Sequence, residues 1–247
     1  MILTRSAAAM AAAAVVALGA GCAGSDSVIS GSGTLSPEPA DNGVSQLSAR
    51  QILSRSQAAL KKASSVHLKG RVVSDGESFD IDLRMSDRAG GGTMTQGGQT
   101  LQLLRIGRTV YIKADADFWR TQTGNAAAAQ LLQGKYLKGT TSDPSVASMA
   151  AFTDADKFVA QLLSPQRNVT KGAKKAIRGR EAVALIEPGK DGGTMYIATR
   201  GEPYPLRLTS NTPSEPGAID FLDYGASVSF EAPPADQVVD TSKLTGN

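Results

Sequence analysis

The sequence predicts an α+β fold, in which a large curved antiparallel sheet of about ten or eleven strands, a half-barrel, carries helices on its concave face. Long stretches of the 247-residue chain alternate apolar and polar side chains, which is typical of strands with one buried and one solvated face. Turns that contain glycine or proline separate these stretches, as they do between consecutive hairpins. Helical spacing of apolar residues is found in three segments.

The first element is a helix of about 15 residues that begins after Ser48. Ser48 and Gln51 have the spacing of a capping box. Lys61 and Lys62 suit the negative C-terminal end of a helix. The positions on its inward stripe are Ala49, Ile52, Leu53, Ser56, Leu60 and Ala63. Such a stripe requires an apolar partner surface.

Five strands are predicted between residues 65 and 114, where apolar residues recur at every second position. Val66 and Leu68 share one face of the first strand, and His67 shares the other face with Lys69 and Arg71. Because its neighbours on that face are charged, His67 is predicted to face solvent.

The middle of the chain is less regular and predicts two short helices. The first spans residues 126–132 and ends at Gly134. Thr153 caps the second, whose apolar side includes Phe158 and Leu162. Both helices are expected to pack on the concave face of the sheet.

Strands resume after residue 168 and complete the sheet. Six are predicted, at residues 169–176, 181–187, 194–199, 206–209, 218–224 and 227–230. The first hairpin carries five basic residues, which are Lys171, Lys174, Lys175, Arg178 and Arg180. Two interpretations stay open for these charges: protection of a solvated edge strand, and docking to anionic lipid headgroups.

The N-terminus has the features of a bacterial lipoprotein signal. Arg5 supplies positive charge, and the uncharged run from Ala7 to Leu18 is too short to span a bilayer. Small residues precede Cys22, as they do at cleavage sites where a cysteine receives diacylglycerol. We therefore predict a signal peptide over residues 1–21 and a diacylglycerol anchor on Cys22. An ordinary secretory signal with an incidental cysteine is the alternative.

A tether is predicted over residues 22–45, because roughly half of these residues are Gly, Ser or Pro and none is Lys or Arg. Residues 46–247 then form one folded domain. A lipid anchor holds an exported domain at a membrane, so this domain is expected at the outer face of the cell membrane.

Composition excludes several classes of function. The chain contains one Cys and one His, which excludes a disulfide framework and a zinc cluster built on these residues. No Gly-x-Ser-x-Gly motif and no phosphate-binding loop occurs. We therefore expect no enzyme, no cofactor and no metal. A net charge of +3 is weak evidence for nucleic acid, so no nucleic-acid partner is expected, and the protein is expected to be a monomer.

A strongly curved sheet must bury its apolar face, either as a packed core or as an apolar pocket. Twelve residues are candidates for binding lipid in such a pocket, namely Val66, Leu68, Phe79, Ile81, Leu83, Met85, Leu101, Leu103, Val110, Ile112, Phe158 and Leu162. Ordinary core packing is the alternative for each of them. Phe118 and Trp119 are predicted to flank a loop, either at the mouth of the pocket or as anchors of that loop.

Several segments of the domain resemble a known superfamily. They are residues 64–70, 110–114, 196–207, 221–225 and 232–234. Together with the signal, the cysteine, the tether and the first helix, they resemble the LolA-like superfamily, and more narrowly the actinobacterial lipoproteins of the LppX/LprG type. The resemblance covers residues 47–240 and implies a half-barrel around an apolar cavity that holds the acyl chains of lipids or glycolipids.

The function that this resemblance implies is that of a membrane-anchored envelope lipoprotein. It would bind or carry lipid or glycolipid acyl chains without bond chemistry, and an envelope protein is a further candidate partner. The alternative is a non-catalytic interaction or sensory module of the envelope, in which the same fold has a filled core. The two hypotheses differ in whether the concave face is open to a ligand.

Overall fold

The computed structural model describes residues 38–74, 76–143, 146–147, 149, 151–154, 168–189 and 192–241. Its strands are β1 Ser65–Ser74, β2 Glu77–Ser86, β3 Ala89–Gln96, β4 Gln99–Ile106, β5 Thr109–Lys113, β6 Tyr136–Thr140, β7 Thr170–Ile177, β8 Arg180–Ile186, β9 Gly193–Ala198, β10 Pro205–Ser210, β11 Gly217–Leu222 and β12 Val238–Asp240. They form one twelve-stranded sheet in the order β12-β6-β5-β4-β3-β2-β1-β11-β10-β9-β8-β7. Neighbouring strands are antiparallel, except that β12 runs parallel to β6.

The predicted curved sheet with helices on its concave face is confirmed, with three differences in its strands. Residues 227–230 form no strand, whereas β6 and β12 were not predicted. These two strands have five and three residues, too few for a clear alternating pattern. The ring of Phe230 instead lies over Gly91, where a Cβ would come within 3.2 Å of it.

Helix α1 (Ala49–Lys62) confirms the first predicted element. The backbone N–H of Ser48 donates to Gln51 Oε1 at 3.0 Å, which is one half of the predicted capping box. Ile52 and Leu60 are buried on the inward face of α1, in contact with an apolar cluster on β8 and β9. This cluster is the partner surface that the apolar stripe required.

Helix α2 (Ala116–Thr123) was not predicted. The side chain of Asp115 accepts a hydrogen bond from the Phe118 N–H at 2.7 Å, and Gly124 ends the helix at a φ of 63°. A cap and a stop signal were therefore present in the sequence. Phe118 and Trp119 lie on this helix, so the prediction that they flank a loop was wrong.

Helix α3 (Ala126–Leu132) confirms the first of the two short helices predicted in the middle of the chain. The second, predicted after Thr153, lies outside the described residues, and Phe158 and Leu162 lie there with it. Thr153 itself is fully buried, and the Arg105 guanidinium donates to its carbonyl oxygen at 3.1 and 3.2 Å. Within the ranges given above, no helix has the length and apolar content needed to cross a membrane.

Two glycines let neighbouring strands approach closely at the centre of the sheet. A Cβ on Gly70 would collide with the carbonyl oxygen of Ala218, and a Cβ on Gly92 would collide with that of Asp82. Gly92 also has a φ of 145°, in a region that side chains rarely permit. Strong bending of a sheet commonly uses glycine at such points.

The folded domain begins earlier than the sequence predicted. It starts at Pro39, seven residues before the predicted boundary at residue 46. The Asn42 side chain donates to the carbonyl oxygens of Ala198 at 3.0 Å and Gly201 at 2.9 Å, and Val44 is fully buried. Residues 39–45 therefore pack on the sheet. Their small and polar side chains are typical of a tether, so the sequence did not predict this packing.

Candidate functional site

Most of the predicted lining residues meet in one buried apolar cluster on the concave face. Eight of the twelve belong to it, namely Val66, Leu68, Ile81, Leu83, Met85, Leu103, Val110 and Ile112. Leu101 is half-buried and packs against this cluster, whereas Phe79 is half-buried and is not part of it. The alternation of apolar residues along β1, β2, β4 and β5 thus correctly placed these side chains on one face of the sheet. Their binding of lipid stays a prediction.

Other residues of this cluster were not among the twelve predicted lining residues, although Trp119 was a candidate for the mouth of the pocket. We call it the central cluster, and its further members are Ala114, Trp119, Ala129, Leu132, Leu137, Val146, Ile219, Phe221 and Val239. Ile219 and Phe221 alternate along β11, so the pattern could have revealed them. Leu137 and Val239 lie on the two strands that were not predicted.

A second apolar cluster lies under α1, and we call it the α1 cluster. Its buried members are Val44, Ile52, Leu60, Val183, Leu185, Met195 and Ile197. Leu208 and Tyr224 are half-buried and pack against both clusters. The two clusters therefore form one apolar face that is joined at these two side chains.

A first pocket opens beside Leu208. Its volume is about 240 Å³, and its lining comprises Val72, Glu187, Gly192, Gly193, Leu208, Thr209, Ser210, Gly217 and Ile219. Ile219 belongs to the central cluster, and Leu208 packs against both clusters. Burial raises the pKa of the Glu187 carboxyl in the wall. The pocket thus combines an apolar floor with one carboxyl group at its edge.

A second pocket of about 430 Å³ lies at the opposite end of β11. Phe221 and Tyr224 line it, together with Pro39, Ile177, Arg178, Arg180, Gly201, Glu202, Tyr204, Leu206, Leu222 and Asp223. The rings of Tyr204 and Tyr224 stack with centroids 4.0 Å apart, and the Tyr224 hydroxyl donates to Pro205 O at 2.8 Å. Burial, together with the neighbouring Tyr204, raises the pKa of Tyr224 well above its ordinary value.

A polar interaction of His67 reaches the wall of this second pocket through Asp223. His67 is 5% exposed, so the prediction that it faces solvent was wrong. Its Nε2 lies 2.7 Å from Asp82 Oδ1, and its Nδ1 lies 2.9 Å from Asp223 Oδ2. Among the described non-glycine residues, Asp223 and Arg178 have positive φ, and both line this pocket.

The five basic residues of the β7–β8 hairpin mostly make contacts within the protein. Lys171 donates to the carbonyl oxygens of Ser45 and Leu47, at 3.2 and 3.0 Å. The other contacts are Lys174 with Glu181 at 3.1 Å, Lys175 over the Tyr196 ring at 5.7 Å, and Arg178 with Asp220 at 3.5 Å. Since β7 is an edge strand, these contacts favour the interpretation that its charges protect a solvated edge.

The described part of the chain holds no group of three or more His, Cys, Asp or Glu side chains that could bind a metal ion. His67 is occupied on both nitrogens by carboxylates, so neither nitrogen is free to act on a serine hydroxyl. The concave face offers buried apolar surface, and the two pockets lie at the two ends of β11.

No protein-family model and no curated protein sequence matches this chain. Among solved structures, it is similar to LprF from Mycobacterium bovis, with a TM-score of 0.51 and 18% identity over 80% of this chain and 99% of that one. It also aligns with the lipoprotein LppX from Mycobacterium tuberculosis, with a TM-score of 0.47 and 18% identity over 74% and 99% of the two chains. The chain therefore has the fold of LprF, as its resemblance to the LppX/LprG type implied.

Proposed function

We propose that this protein is an exported lipoprotein that binds and carries lipid or glycolipid acyl chains on its concave face, without bond chemistry. Diacylglycerol on Cys22 anchors it to the outer face of the cell membrane. The observation that carries the proposal is the junction of the two apolar clusters at Leu208 and Tyr224, with a pocket at each end of β11. The fold shared with LprF supports it.

The volumes of the two pockets bear on where an acyl chain could bind. Small-molecule sites usually measure about 300–1,000 Å³, so the second pocket at about 430 Å³ falls in this range and the first at about 240 Å³ does not. Each CH₂ that leaves water contributes about 0.8 kcal/mol. An acyl chain that separated the two clusters along β11 would replace contacts between side chains by contacts between side chains and the lipid. Little buried apolar area would be lost in this exchange.

One observation favours a second candidate function. The eight predicted lining residues of the central cluster are at most 7% exposed, which is also what a filled core requires. In that case the protein is an interaction or sensory module of the envelope, and a protein partner binds its outer surface. The two candidates make opposite predictions for bound lipid.

Native mass spectrometry separates them. The Cys22→Ser variant, exported by an actinobacterial host, should leave the membrane and carry a discrete added mass that organic solvent extracts as lipid. The same sample after extraction is the control, and it should show the polypeptide mass alone. A bare polypeptide mass in a folded protein that also ignores added lipid would favour the interaction module.

A further inference from the structure

Three cations on the outer face of helix α1 have no ion-pair partner in the described part of the chain. The helix contains Arg50, Arg55, Lys61 and Lys62, and it contains neither Asp nor Glu. Arg55, Lys61 and Lys62 are exposed, and their side chains form no ion pair and no hydrogen bond with another described residue. These three charges therefore act on molecules outside the protein.

Three cations on the opposite face of the sheet, by contrast, each lie beside a carboxylate. Lys69 Nζ is 2.7 Å from Asp82 Oδ2, and Arg71 Nε is 2.6 Å from Asp80 Oδ1. Arg84 Nη1 lies 3.8 Å from Asp82 Oδ1. Opposite charges this close largely cancel for a partner beyond the Debye length, which is about 8 Å at physiological salt. Of the two faces, the outer face of α1 is thus the one that attracts an anionic partner.

The composition of the outer face of α1 indicates what kind of partner fits it. A helix of 14 residues is about 20 Å long, and its other exposed side chains are Gln51, Ser54 and Ala58. The face therefore presents long, flexible cations over an extended surface and exposes no large apolar side chain for insertion. Such a face fits the surface of an anionic bilayer, which attracts each Lys or Arg near it.

The proposed anchor brings this face to a membrane. Cys22 precedes Pro39, where the folded domain begins, by 17 residues, and α1 starts at Ala49. A segment of 17 residues spans at most about 60 Å. An anchored domain would stay within that distance of the lipid surface, so even a weak attraction would act at a high effective concentration.

We propose that the outer face of α1 docks onto the anionic lipid surface to which the protein is anchored. This inference rests on the proposed function and deepens it, because it assigns the side of the domain that meets the membrane. On the inner side of the same helix, Ile52 and Leu60 contact the α1 cluster. Docking thus places the apolar face behind one helix, about 10 Å from the headgroups, which shortens the path of a lipid between bilayer and protein.

The test measures how the exported Cys22→Ser chain partitions onto lipid vesicles. The vesicles contain equal parts of phosphatidylglycerol and phosphatidylcholine, and vesicles of phosphatidylcholine alone are the control. At low salt the chain should sediment with the anionic vesicles and not with the control vesicles. About 0.5 M salt should abolish binding, because it reduces the Debye length to about 4 Å and no apolar side chain holds the face in place.

The variant Arg55→Gln/Lys61→Gln/Lys62→Gln removes the three charges and keeps residues that favour a helix. It should weaken the partition onto anionic vesicles about 10- to 100-fold. Its melting temperature should stay close to that of the parent chain, because all three side chains are exposed.

The matched control is Lys69→Gln/Arg71→Gln/Arg84→Gln, on the opposite face of the sheet. It lowers the net charge of the chain by the same three units, so it separates the effect of one face from that of total charge. Its partition should stay within about 2-fold of that of the parent chain. Equal losses in the two triple variants would overturn the inference, because total charge would then drive the binding.

A fluorescent label reports the orientation without any change of charge. The chain contains one cysteine, so Cys22→Ser leaves none and a label can be attached at a single new position. Ala58→Cys carries it on the outer face of α1, and Thr93→Cys carries it at an exposed position of β3. On anionic vesicles, the label on α1 should lose most of its quenching by acrylamide, whereas the label on β3 should keep it. This comparison decides the matter if a triple variant does not fold.

The outcomes keep this inference apart from the proposed function. Absence of vesicle binding at low salt, or equal quenching of the two labels, would overturn the inference, and the face would then fit an acidic protein instead. Lipid mass in native mass spectrometry would be unaffected by that result. Vesicle binding through α1 by a folded chain that carries no lipid would instead count against the proposed carrier function and leave the docking surface intact.

Discussion

The two faces of the central strands β1, β2 and β11 are stabilised by different forces. On the concave face, Leu68 and Leu83 are fully buried among other apolar side chains. On the opposite face, three ion pairs join residues directly across neighbouring strands, namely Lys69–Asp82, Arg71–Asp80 and Arg207–Asp220. Cross-strand pairs of opposite charge favour the register in which the two charges face each other, by about 0.2–1 kcal/mol each, whereas apolar contacts are not directional.

Under the proposed function, this difference would let one sheet be both stable and able to bind lipid. The polar face holds the strands in register through groups that no acyl chain would disturb. His67 strengthens it at the centre, because its ring links Asp82 of β2 to Asp223, which follows β11. The proposed function requires only that the apolar face exchange side-chain contacts for ligand contacts.

The largest expected effect is on the apolar face. Leu83→Arg places a charge in the central cluster, where Leu83 is fully buried. If acyl chains enter by separating the side chains of this cluster, the same separation lets the long arginine side chain reach water, so the variant should fold and should lose lipid binding by about 100-fold or more. Lipid mass in native mass spectrometry, measured beside a melting curve, tests this prediction.

The matched control is Thr93→Arg. Thr93 is exposed on β3 directly opposite Asp82. The variant therefore introduces the same charge on the polar face and should leave folding and lipid binding unchanged. Unfolding of Leu83→Arg would break the comparison between the faces, because an unpaired charge in a filled core costs about 3–5 kcal/mol. It would indicate that the concave face is a packed core.

A smaller effect on stability is expected on the polar face, and it should disappear at low pH. Burial raises the pKa of Asp82, but hydrogen bonds from Lys69 and His67 outweigh it and hold the pKa below its ordinary value of 3.8. A depressed pKa stabilises the fold above pH 3.8, and that contribution is lost as the pH falls through the lowered value. Asp82→Asn should therefore cost about 1–3 kcal/mol near neutral pH and progressively less in acid.

Urea unfolding of both proteins between about pH 7 and pH 2 measures this loss. Asp80→Asn is the matched control, because Asp80 pairs with Arg71 on the same face but both side chains are largely exposed. It should cost less than Asp82→Asn near neutral pH, and the two costs should converge in acid. A difference between wild type and Asp82→Asn that stays constant down to the lowest pH would contradict the prediction.

The sequence predicted the apolar face better than the polar one, for a physical reason. Alternation is a local property, so Val66 and Leu83 could be placed on one face from their neighbours along the chain. The environment of His67 depends on Asp223, which is 156 residues away. Nothing within β1 indicates that this histidine becomes buried, because its own neighbours on the face are charged.

The same distinction explains the strands. β1 to β5 pair with their neighbours in the sequence, so their turns and alternation sufficed to predict them. β12 pairs with β6 across about 100 residues of chain. The two pockets could not be predicted from the sequence either, because each depends on where the ends of several strands and loops meet.

The smallest expected effect concerns a polar atom on the apolar side. Ser56 of α1 is fully buried, and its hydroxyl is unsatisfied among the described residues. Ser56→Ala removes this group and improves helix propensity, so it should stabilise the lipid-free protein by about 0.5–1.5 kcal/mol. The sign is opposite to that of Asp82→Asn, because the Asp82 carboxylate has its partners in the protein.

Ser54→Ala isolates the burial contribution. Ser54 is exposed on the same helix, so this variant changes helix propensity alone. The difference between the two changes in unfolding free energy, measured in urea, gives the cost of burying the Ser56 hydroxyl. If Ser56→Ala destabilises while Ser54→Ala does not, the hydroxyl has a partner inside the lipid-free protein. The apolar side would then be satisfied without a ligand, and the contrast between the two faces would no longer indicate where a lipid binds.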